Sequence, residues 1–166
     1  MKKIFNGRLI KVCTKKTILP NSHEINLEIV DHPGAVLIVP FLKPGKIIML
    51  RQYRAVIDKY LYELPAGTLA PDERPSSCAK RELIEETGYK ASKINKIGQI
   101  YPCPGYSTEK IIFFKAQELM PSQQALEKDE VIELEIMSIS QIKKIFKQGK
   151  IEDAKTICAL SICGII

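Results

Sequence analysis

The N-terminal third of the chain carries the hydrophobic patterns of β-strands. Apolar and polar residues alternate along residues 8–18 and 24–30, as they do in strands that bury one face. Residues 35–41 (AVLIVPF) are almost continuously apolar, which predicts a strand buried on both faces. After the turn signal Pro44-Gly45, residues 47–53 predict a hairpin partner for that strand. We therefore expect strands to dominate the first 65 residues.

Three later segments have helical patterns. Ser76 or Ser77 is placed to cap a helix that runs to about residue 87, where Gly88 supplies a left-handed stop. Residues 140–147 predict a short amphipathic helix, because their apolar side chains recur at helical spacing. Residues 154–162 predict a final helix with one apolar face.

Strand-like segments separate these helices. Residues 94–100, 110–115 and 131–137 predict further strands, and the polar stretch 121–129 predicts a loop of the kind that carries function. The order strands, helix, strands, helix favours a mixed sheet covered by helices. We predict one domain, residues 1–166, of the α/β (α+β) class.

Composition narrows the class of protein. Hydrophobic residues make up 45% of the chain and charged residues 27%, which is typical of a globular protein. No apolar run approaches the roughly 20 residues of a membrane span, and Asn6-Gly7-Arg8 interrupts the N-terminus too early for a signal peptide. We therefore expect no membrane association and a cytoplasmic location. The five cysteines lack CxxC spacing and accompany only two histidines, so we predict reduced thiols rather than a zinc site.

The net charge of +6 indicates an anionic partner. A nucleic acid and a phosphorylated small molecule both satisfy that condition. The lysines and arginines are scattered, with only short pairs such as Lys2-Lys3 and Lys15-Lys16. Scattered charge is typical of solvated faces, so we expect a small molecule and no nucleic acid.

Residues 81–89, RELIEETGY, place Glu82, Glu85 and Glu86 on one face of the first predicted helix. Like charges at this spacing destabilise a helix by about 0.2–0.5 kcal/mol per pair. One interpretation is a solvated acidic face. The other is a site for a hard cation such as Mg²⁺, which takes oxygen ligands and leaves positions for water or substrate phosphates. Arg81 lies one turn before Glu85 and could pair with it.

The loop before this helix favours the cation site. Gly67 and Glu73 stand at fixed distances before Arg81, and the whole stretch matches the pattern G-x5-E-x7-R-E-U-x-E-E-x-G-U, where U is a bulky apolar residue. Leu83 and Tyr89 take the U positions, Tyr89 being a mild departure. A chance match is on the order of 10⁻⁸ per starting point. The stretch therefore resembles the box of the Nudix hydrolase superfamily.

The flanking segments resemble the ADP-ribose pyrophosphatase branch of that superfamily. They are residues 32–40 (HPGAVLIVP), 50–54 (LRQYR), 62–69 (YELPAGTL), 101–109 (YPCPGYSTE) and 149–160 (GKIEDAKTICAL). The resemblance implies a Nudix-type α/β/α sandwich with a mixed sheet. It also implies an antiparallel strand region over about residues 1–32 that helps to form a homodimer.

By the same resemblance, the box holds Mg²⁺, with Mn²⁺ as a substitute. Glu82 and Glu86 are then the principal metal ligands, Glu85 ligates or supports them, and the carbonyl of Ala66 often joins them. Gly67, Glu73 and Arg81 support this set, the last two by orienting the glutamates through ion pairs.

The resemblance implies a Mg²⁺-dependent hydrolysis of ADP-ribose to AMP and ribose 5-phosphate. The alternatives are another nucleoside diphosphate sugar as substrate, or a Nudix-fold binding module without catalysis. The residue types suggest how a substrate is held. Arg54 or Arg51 can clamp a diphosphate with a planar fork of donors, Glu63 binds substrate or a neighbouring subunit, Pro104 shapes the pocket wall, and Tyr106 contacts base or ribose.

The general base is open at this point. In this branch a glutamate in the loop before the late strand often activates water, and Glu130 matches its place, while Lys128 stands where an earlier acid is expected. The base is therefore Glu130, Glu127 shifted by one position, or a box glutamate such as Glu85.

Overall fold

The computed structural model describes residues 1–7 and 9–166, so Arg8, the first residue of the first predicted strand, lies outside the described residues. The strands are β1 (Lys2–Asn6), β2 (Lys11–Ile18), β3 (Glu24–Asp31), β4 (Ala35–Lys43), β5 (Lys46–Arg54), β6 (Lys59–Glu63), β7 (Ala66–Thr68), β8 (Tyr89–Ile100), β9 (Ile111–Pro121) and β10 (Ile132–Ser138), and the helices are α1 (Pro75–Thr87), α2 (Ile139–Lys147) and α3 (Ala154–Ile162).

The strands form two sheets. The N-terminal strands make a three-stranded antiparallel sheet in the order β1-β2-β3. The other seven strands make a second sheet in the order β10-β5-β4-β9-β8, with β6 paired to β5 and β7 paired to β4. This sheet is mixed, because β4 and β9 run parallel whereas its other pairs are antiparallel.

Helices cover both faces of the seven-stranded sheet. Val36 and Ile38 of β4 pack under Leu83 of α1, and the alternate residues Leu37 and Val39 pack in the core formed with α2 and α3. Both sets are fully buried, which explains why β4 is an apolar run rather than an alternation. The predicted α/β/α sandwich is therefore observed.

Helix α1 differs from the prediction at its start. It begins at Pro75 with Arg74 as N-cap and without a side-chain cap hydrogen bond, so the prediction that Ser76 or Ser77 caps it is wrong. Pro75 suits the first helical position, where its fixed φ is favourable and its missing N–H is not needed. At the other end Gly88 has a φ of 69°, as the prediction of a left-handed stop required.

The edge strand β8 and its neighbour β9 are longer than the sequence predicts. β8 begins at Tyr89 and β9 continues to Pro121, and these two residues are partners in the ladder. The added residues of β8 are mostly exposed at the sheet edge, so their side chains carry no strong hydrophobic alternation. Among residues 1–7 and 9–166, no helix combines the length and the hydropathy needed to cross a membrane.

Candidate active site

The carboxylate face of α1 is turned into the protein. Glu82 and Glu86 are buried and Glu85 is half-buried. Strand β7 crosses close to this face: the Ala66 N–H donates to Oε2 of Glu86 at 2.9 Å. A Cβ on Gly67 would lie 1.9 Å from the Glu82 carboxylate, so only glycine allows this approach. The face is therefore a buried site and not a solvated surface.

One guanidinium ties the acidic residues together. Arg81 donates to both oxygens of Glu73 at 3.0 Å, to Oε1 of Glu82 at 2.7 Å and to Oε2 of Glu85 at 2.8 Å. The hydrogen bonds from Arg81 lower the pKa of Glu73 to about 2. Arg81 therefore contacts two of the three predicted glutamate ligands as well as Glu73, and an orienting role for Arg81 and Glu73 stays a prediction.

Arg81 donates to Glu82 and Glu85 but not to Glu86, so a cation compensates the burial of Glu86 least among these three carboxylates. Its side chain belongs to a residue only 2% exposed, and burial raises its pKa to about 8 despite the Ala66 N–H, with the nearby charges of Glu82 and Glu130 raising it further. Burial also raises the pKa of Glu82. A nearby cation favours the charged form of carboxyl groups whose pKa is raised in this way.

The donor set fits a hard divalent ion. Glu82, Glu85 and Glu86 offer carboxylate oxygens, Ala66 adds a backbone carbonyl, and Mg²⁺ prefers such ligands. Within the described part of the chain, no three His, Cys, Asp or Glu side chains already converge as a metal cluster. The guanidinium of Arg81, which bridges Glu82 and Glu85, balances their charge in this arrangement.

The predicted functional loop packs on the C-terminal end of α1. The Gln124 side chain donates to the Glu86 carbonyl at 2.6 Å, and the Ala125 N–H donates to the Glu85 carbonyl at 3.0 Å. At the end of the loop, Glu130 is half-buried and near enough to raise the pKa of both Glu82 and Glu86. Glu127 is exposed, and its N–H donates to Oε2 of Glu130 at 2.8 Å. Of Glu127 and Glu130, Glu130 is the one whose charge acts on the carboxylates of α1.

A cavity of about 400 Å³ opens beside this face. It reaches the start of the box and the first turn of α3, and it is lined by Leu9, His32, Ala35, Arg54, Ala66, Gly67, Thr68, Pro102, Glu109, Ile111, Asp153, Ala154 and Lys155. A pocket of this size suits a small-molecule ligand.

Arg54 and Lys155 are held at the cavity by one carboxylate. Glu63 accepts from Nε and Nη2 of Arg54 at 2.7 and 2.6 Å and from Nζ of Lys155 at 2.6 Å. Lys155 also donates to Asp153, the N-cap of α3, at 2.8 Å. Glu63 itself is 1% exposed and does not line the cavity. The structure thus places this predicted substrate ligand behind Arg54, where it fixes the guanidinium.

Three other predicted substrate residues lie outside the cavity lining. Arg51 pairs with Glu133 at 2.7 Å and lies 4.2 Å above the ring of Tyr60. Pro104 and Tyr106 are exposed, whereas Pro102 and Glu109 of the same loop line the cavity. Sequence reasoning also missed three further lining residues, although all lie in the flanking segments that carry the family resemblance: His32, Asp153 and Lys155.

Comparisons with known proteins identify the family of this chain. The family model for the NUDIX domain matches residues 31–160. The chain is 38% identical over 159 residues to the ADP-ribose pyrophosphatase of Bacillus subtilis (strain 168), covering 95% of this chain and 86% of the relative. It is 35% identical over 159 residues to the methanol dehydrogenase activator of Bacillus methanolicus, with the same coverage of 95% and 86%. It is 36% identical over 138 residues to the GDP-mannose pyrophosphatase of Escherichia coli O1:K1 / APEC, covering 77% and 71%.

A solved structure gives the same fold. The crystal structure of an ADP compounds hydrolase superposes with a TM-score of 0.83 over 98% of this chain and 88% of that chain, at 22% sequence identity. The predicted fold is therefore confirmed. The family match spans well over half of the chain and contains the whole box, so the predicted resemblance is confirmed as well: this chain belongs to the NUDIX family.

Proposed function

We propose that this protein is a hydrolase that cleaves the diphosphate of ADP-ribose to give AMP and ribose 5-phosphate. One observation carries the proposal: the buried carboxylate face of α1 meets a cavity at Ala66 and Gly67, and Arg54 lines the same cavity. The substrate is suggested by the relative named ADP-ribose pyrophosphatase, which matches 95% of this chain. In the reaction the oxygen of water attacks one phosphorus, and the bond from that phosphorus to the bridging oxygen breaks. The bridging oxygen leaves with the other phosphate, and the two protons of the water go to the product phosphates or to solvent.

The cofactor belongs to the proposal. Glu82, Glu85, Glu86 and the Ala66 carbonyl would hold Mg²⁺, or Mn²⁺ in its place. When bound, the ion would neutralise charge on the diphosphate and make a bound water more acidic. Side chains of the protein would bind the diphosphate and act as the general base.

Arg54 is the proposed diphosphate ligand. Glu63 takes two of its five N–H donors, which leaves three for other partners, and the planar fork suits phosphate oxygens. Lys155 adds a second cation at the same wall. Because Glu63 fixes both side chains, less conformational entropy is lost when they bind an anion.

Glu130 is the proposed general base. It is the half-buried loop acid near Glu82 and Glu86, whereas Glu127 is exposed and Glu85 is engaged by Arg81. We expect Glu130→Gln to lower kcat by about 10²–10⁴-fold with little change in KM. Glu127→Gln is the matched control and should stay within a few-fold of the parent. Equal losses in the two variants would argue against Glu130 as the base.

Another nucleoside diphosphate sugar is the second candidate substrate. The relative named GDP-mannose pyrophosphatase, 36% identical over 138 residues, favours it. A non-catalytic binding module is not favoured, because the box keeps all its acids: Glu73, Glu82, Glu85 and Glu86.

We also propose a cytoplasmic homodimer of single-domain chains. The N-terminal sheet exposes Ile4, Phe5 and Ile18 by more than half, and apolar side chains of this kind favour an interface between subunits. The five thiols are free, as expected in a reducing compartment. Size-exclusion chromatography with light scattering tests the dimer, and a monomer at working concentration would refute it.

One experiment tests the activity. The protein is incubated with Mg²⁺ and either ADP-ribose, GDP-mannose, other nucleoside diphosphate sugars, dinucleoside polyphosphates or nucleoside triphosphates, and the products are resolved. We expect AMP and ribose 5-phosphate from ADP-ribose, loss of turnover with EDTA, and a loss of at least about 100-fold in Glu86→Gln. Absence of turnover with every compound would rule out the enzyme. Equal rates for Glu86→Gln and the parent would rule out the carboxylate face as the metal site.

A further inference from the structure

The β9–β10 loop, residues 122–131, caps the C-terminal end of α1. The last carbonyls of a helix have no partner within the helix, so they need donors from elsewhere. The Glu85 carbonyl accepts from the Ala125 N–H at 3.0 Å. The Glu86 carbonyl accepts from Nε2 of Gln124 at 2.6 Å. The loop therefore binds the backbone of two residues whose side chains belong to the carboxylate face.

Backbone hydrogen bonds hold both ends of the β9–β10 loop. At its start the Ser122 N–H donates to the Gly88 carbonyl at 2.7 Å. At its end the Val131 carbonyl accepts from the Tyr53 N–H of β5 at 3.0 Å. Between these ends Gln124 contributes a side-chain hydrogen bond to α1, and a substitution can remove that bond without altering the backbone.

Glu130 lies near the end of the same loop. Its N–H donates to the Glu127 carbonyl at 3.1 Å, and its Oε2 accepts from the Glu127 N–H at 2.8 Å. These two bonds close a turn and orient the Glu130 carboxylate within the loop, but neither bond reaches α1. The position of Glu130 relative to the carboxylate face therefore depends on how the loop is attached to α1 and to β5.

We propose that Gln124 is a positioning residue that holds the general base Glu130 at the carboxylate face through its hydrogen bond to the Glu86 carbonyl. This inference rests on the proposed function, in which Glu130 activates water. A base must lie within hydrogen-bond distance of the proton that it accepts, and a displacement of about 1 Å can lower a rate by about 100-fold. Gln124 does not line the cavity, so it should act on the chemical step rather than on substrate binding.

Two adjacent glutamines give the test a matched control. Gln124→Met keeps the length of the side chain but removes its N–H donors. Gln123 is exposed in the same loop, and within residues 1–7 and 9–166 its side chain makes no hydrogen bond. Gln123→Met therefore makes the same chemical change without removing a bond to α1. Thermal unfolding checks that both variants are folded.

Steady-state kinetics with ADP-ribose measures the effect on catalysis. We expect Gln124→Met to lower kcat by about 3- to 10-fold, as the loss of one hydrogen bond implies, with KM within about two-fold of the parent. Gln123→Met should leave both constants unchanged. In a Glu130→Gln background Gln124→Met should lower kcat no further, because the base that it positions is absent. A loss of the same size in that background, or in Gln123→Met, would overturn the role of Gln124.

Hydrogen exchange measures the attachment of the loop without turnover. The Ala125 N–H donates to the Glu85 carbonyl, so its exchange rate reports how often the loop leaves α1. We expect that rate to rise about 3- to 10-fold in Gln124→Met and to stay unchanged in Gln123→Met. The Gly88 N–H donates to a carbonyl of α1 itself and should exchange at the parental rate. Faster exchange at Gly88 would indicate that the helix unravels, and it would contradict a role confined to the loop.

The two measurements separate this inference from the proposed function. A parent protein that shows the expected exchange pattern but hydrolyses no nucleoside diphosphate sugar would overturn the proposed function, while the attachment of the loop by Gln124 would stand. A parent protein that hydrolyses ADP-ribose while Gln124→Met keeps the parental kcat would overturn the role of Gln124 and leave the activity in place. Parental exchange of the Ala125 N–H in Gln124→Met would have the same consequence.

Discussion

Replacing Glu63 by glutamine tests whether this buried carboxylate holds the side chains of Arg54 and Lys155 in place at the cavity. The substitution keeps the shape and one acceptor oxygen but removes the charge that holds Arg54 and Lys155. Breaking a fully buried ion pair costs about 3–5 kcal/mol. Here the side chains of Arg54 and Lys155 are 39% and 20% exposed and can be partly hydrated, and Lys155 keeps Asp153. We therefore expect a loss of about 1–3 kcal/mol in the free energy of unfolding.

A second arginine of β5, Arg51, takes part in an ion pair that supplies a matched control. Arg51 and Glu133 also form a 2.7 Å ion pair, but it is exposed, with side chains 39% and 55% accessible. Exposed pairs contribute about 0–1 kcal/mol, so Glu133→Gln should change stability little. Urea unfolding measures both variants. With ADP-ribose as substrate, Glu63→Gln should raise KM more than it lowers kcat, because Arg54 is no longer fixed before binding.

The pH dependence of this loss gives a second check. Burial by itself raises the pKa of Glu63, but the hydrogen bonds and charges of Arg54 and Lys155 outweigh it, so the pKa lies below its ordinary value of 4.5. A carboxylate with a depressed pKa stabilises the fold above its unfolded pKa and loses that contribution as pH falls through its folded pKa. The stability difference between parent and Glu63→Gln should be constant from about pH 7 to about pH 5.5 and shrink below about pH 4.5. A difference independent of pH, or equal losses in Glu63→Gln and Glu133→Gln, would refute this reasoning.

Three further substitutions follow from the geometry of the box, and Gly149→Ala outside the box serves as the comparison for the last of them. Gly67→Ala places a Cβ 1.9 Å from the Glu82 carboxylate, so kcat/KM should fall by about 10–100-fold, as measured by steady-state kinetics. In Arg81→Lys a single ammonium group replaces the planar guanidinium that contacts three carboxylates. The Mg²⁺ concentration for half-maximal activity should therefore rise by about 10-fold or more. Gly88→Ala and Gly149→Ala both impose a φ of 69° on alanine, costing about 1–2 kcal/mol. Gly88→Ala should cost more in urea unfolding, because its Cβ also meets the functional loop at 3.3 Å, whereas that of Gly149 meets nothing within 4 Å.

The parts of the fold that sequence predicted are those set by local spacing. The apolar run of β4, the stop at Gly88 and the carboxylate face of α1 each depend on residues within a few turns or strand positions of one another. Gly67 was expected to support the glutamates, and the structure adds the physical reason, because a Cβ at this position would lie 1.9 Å from the Glu82 carboxylate. Glu73 and Arg81 were expected to support the glutamates, and their ion pair has that geometry.

The parts that sequence did not predict depend on distant segments. Glu63 meets Lys155 across 92 positions, and His32 meets Thr108 across 76. Hydrophobic periodicity does not reveal such contacts. Glu63 was expected to bind substrate or a neighbouring subunit, whereas it is buried behind Arg54. Arg51 and Arg54 could not be separated either, since the direction of a strand-end side chain depends on the neighbouring strands. Arg51 faces Glu133 of β10, whereas Arg54 faces Glu63 of β6.

The position of Glu73 explains why the box includes an acid outside the carboxylate face. Both of its oxygens accept from Arg81, and Oε2 also accepts from the Ala70 N–H at 3.1 Å. Arg81 therefore has an anchor that does not depend on Glu82 or Glu85. A cation that takes over the charge of those two glutamates would weaken their hold on Arg81, yet Glu73 would keep the guanidinium in place. Arg81 can then balance the acidic face without a cation and still orient it with one, which a bond to the glutamates alone would not allow.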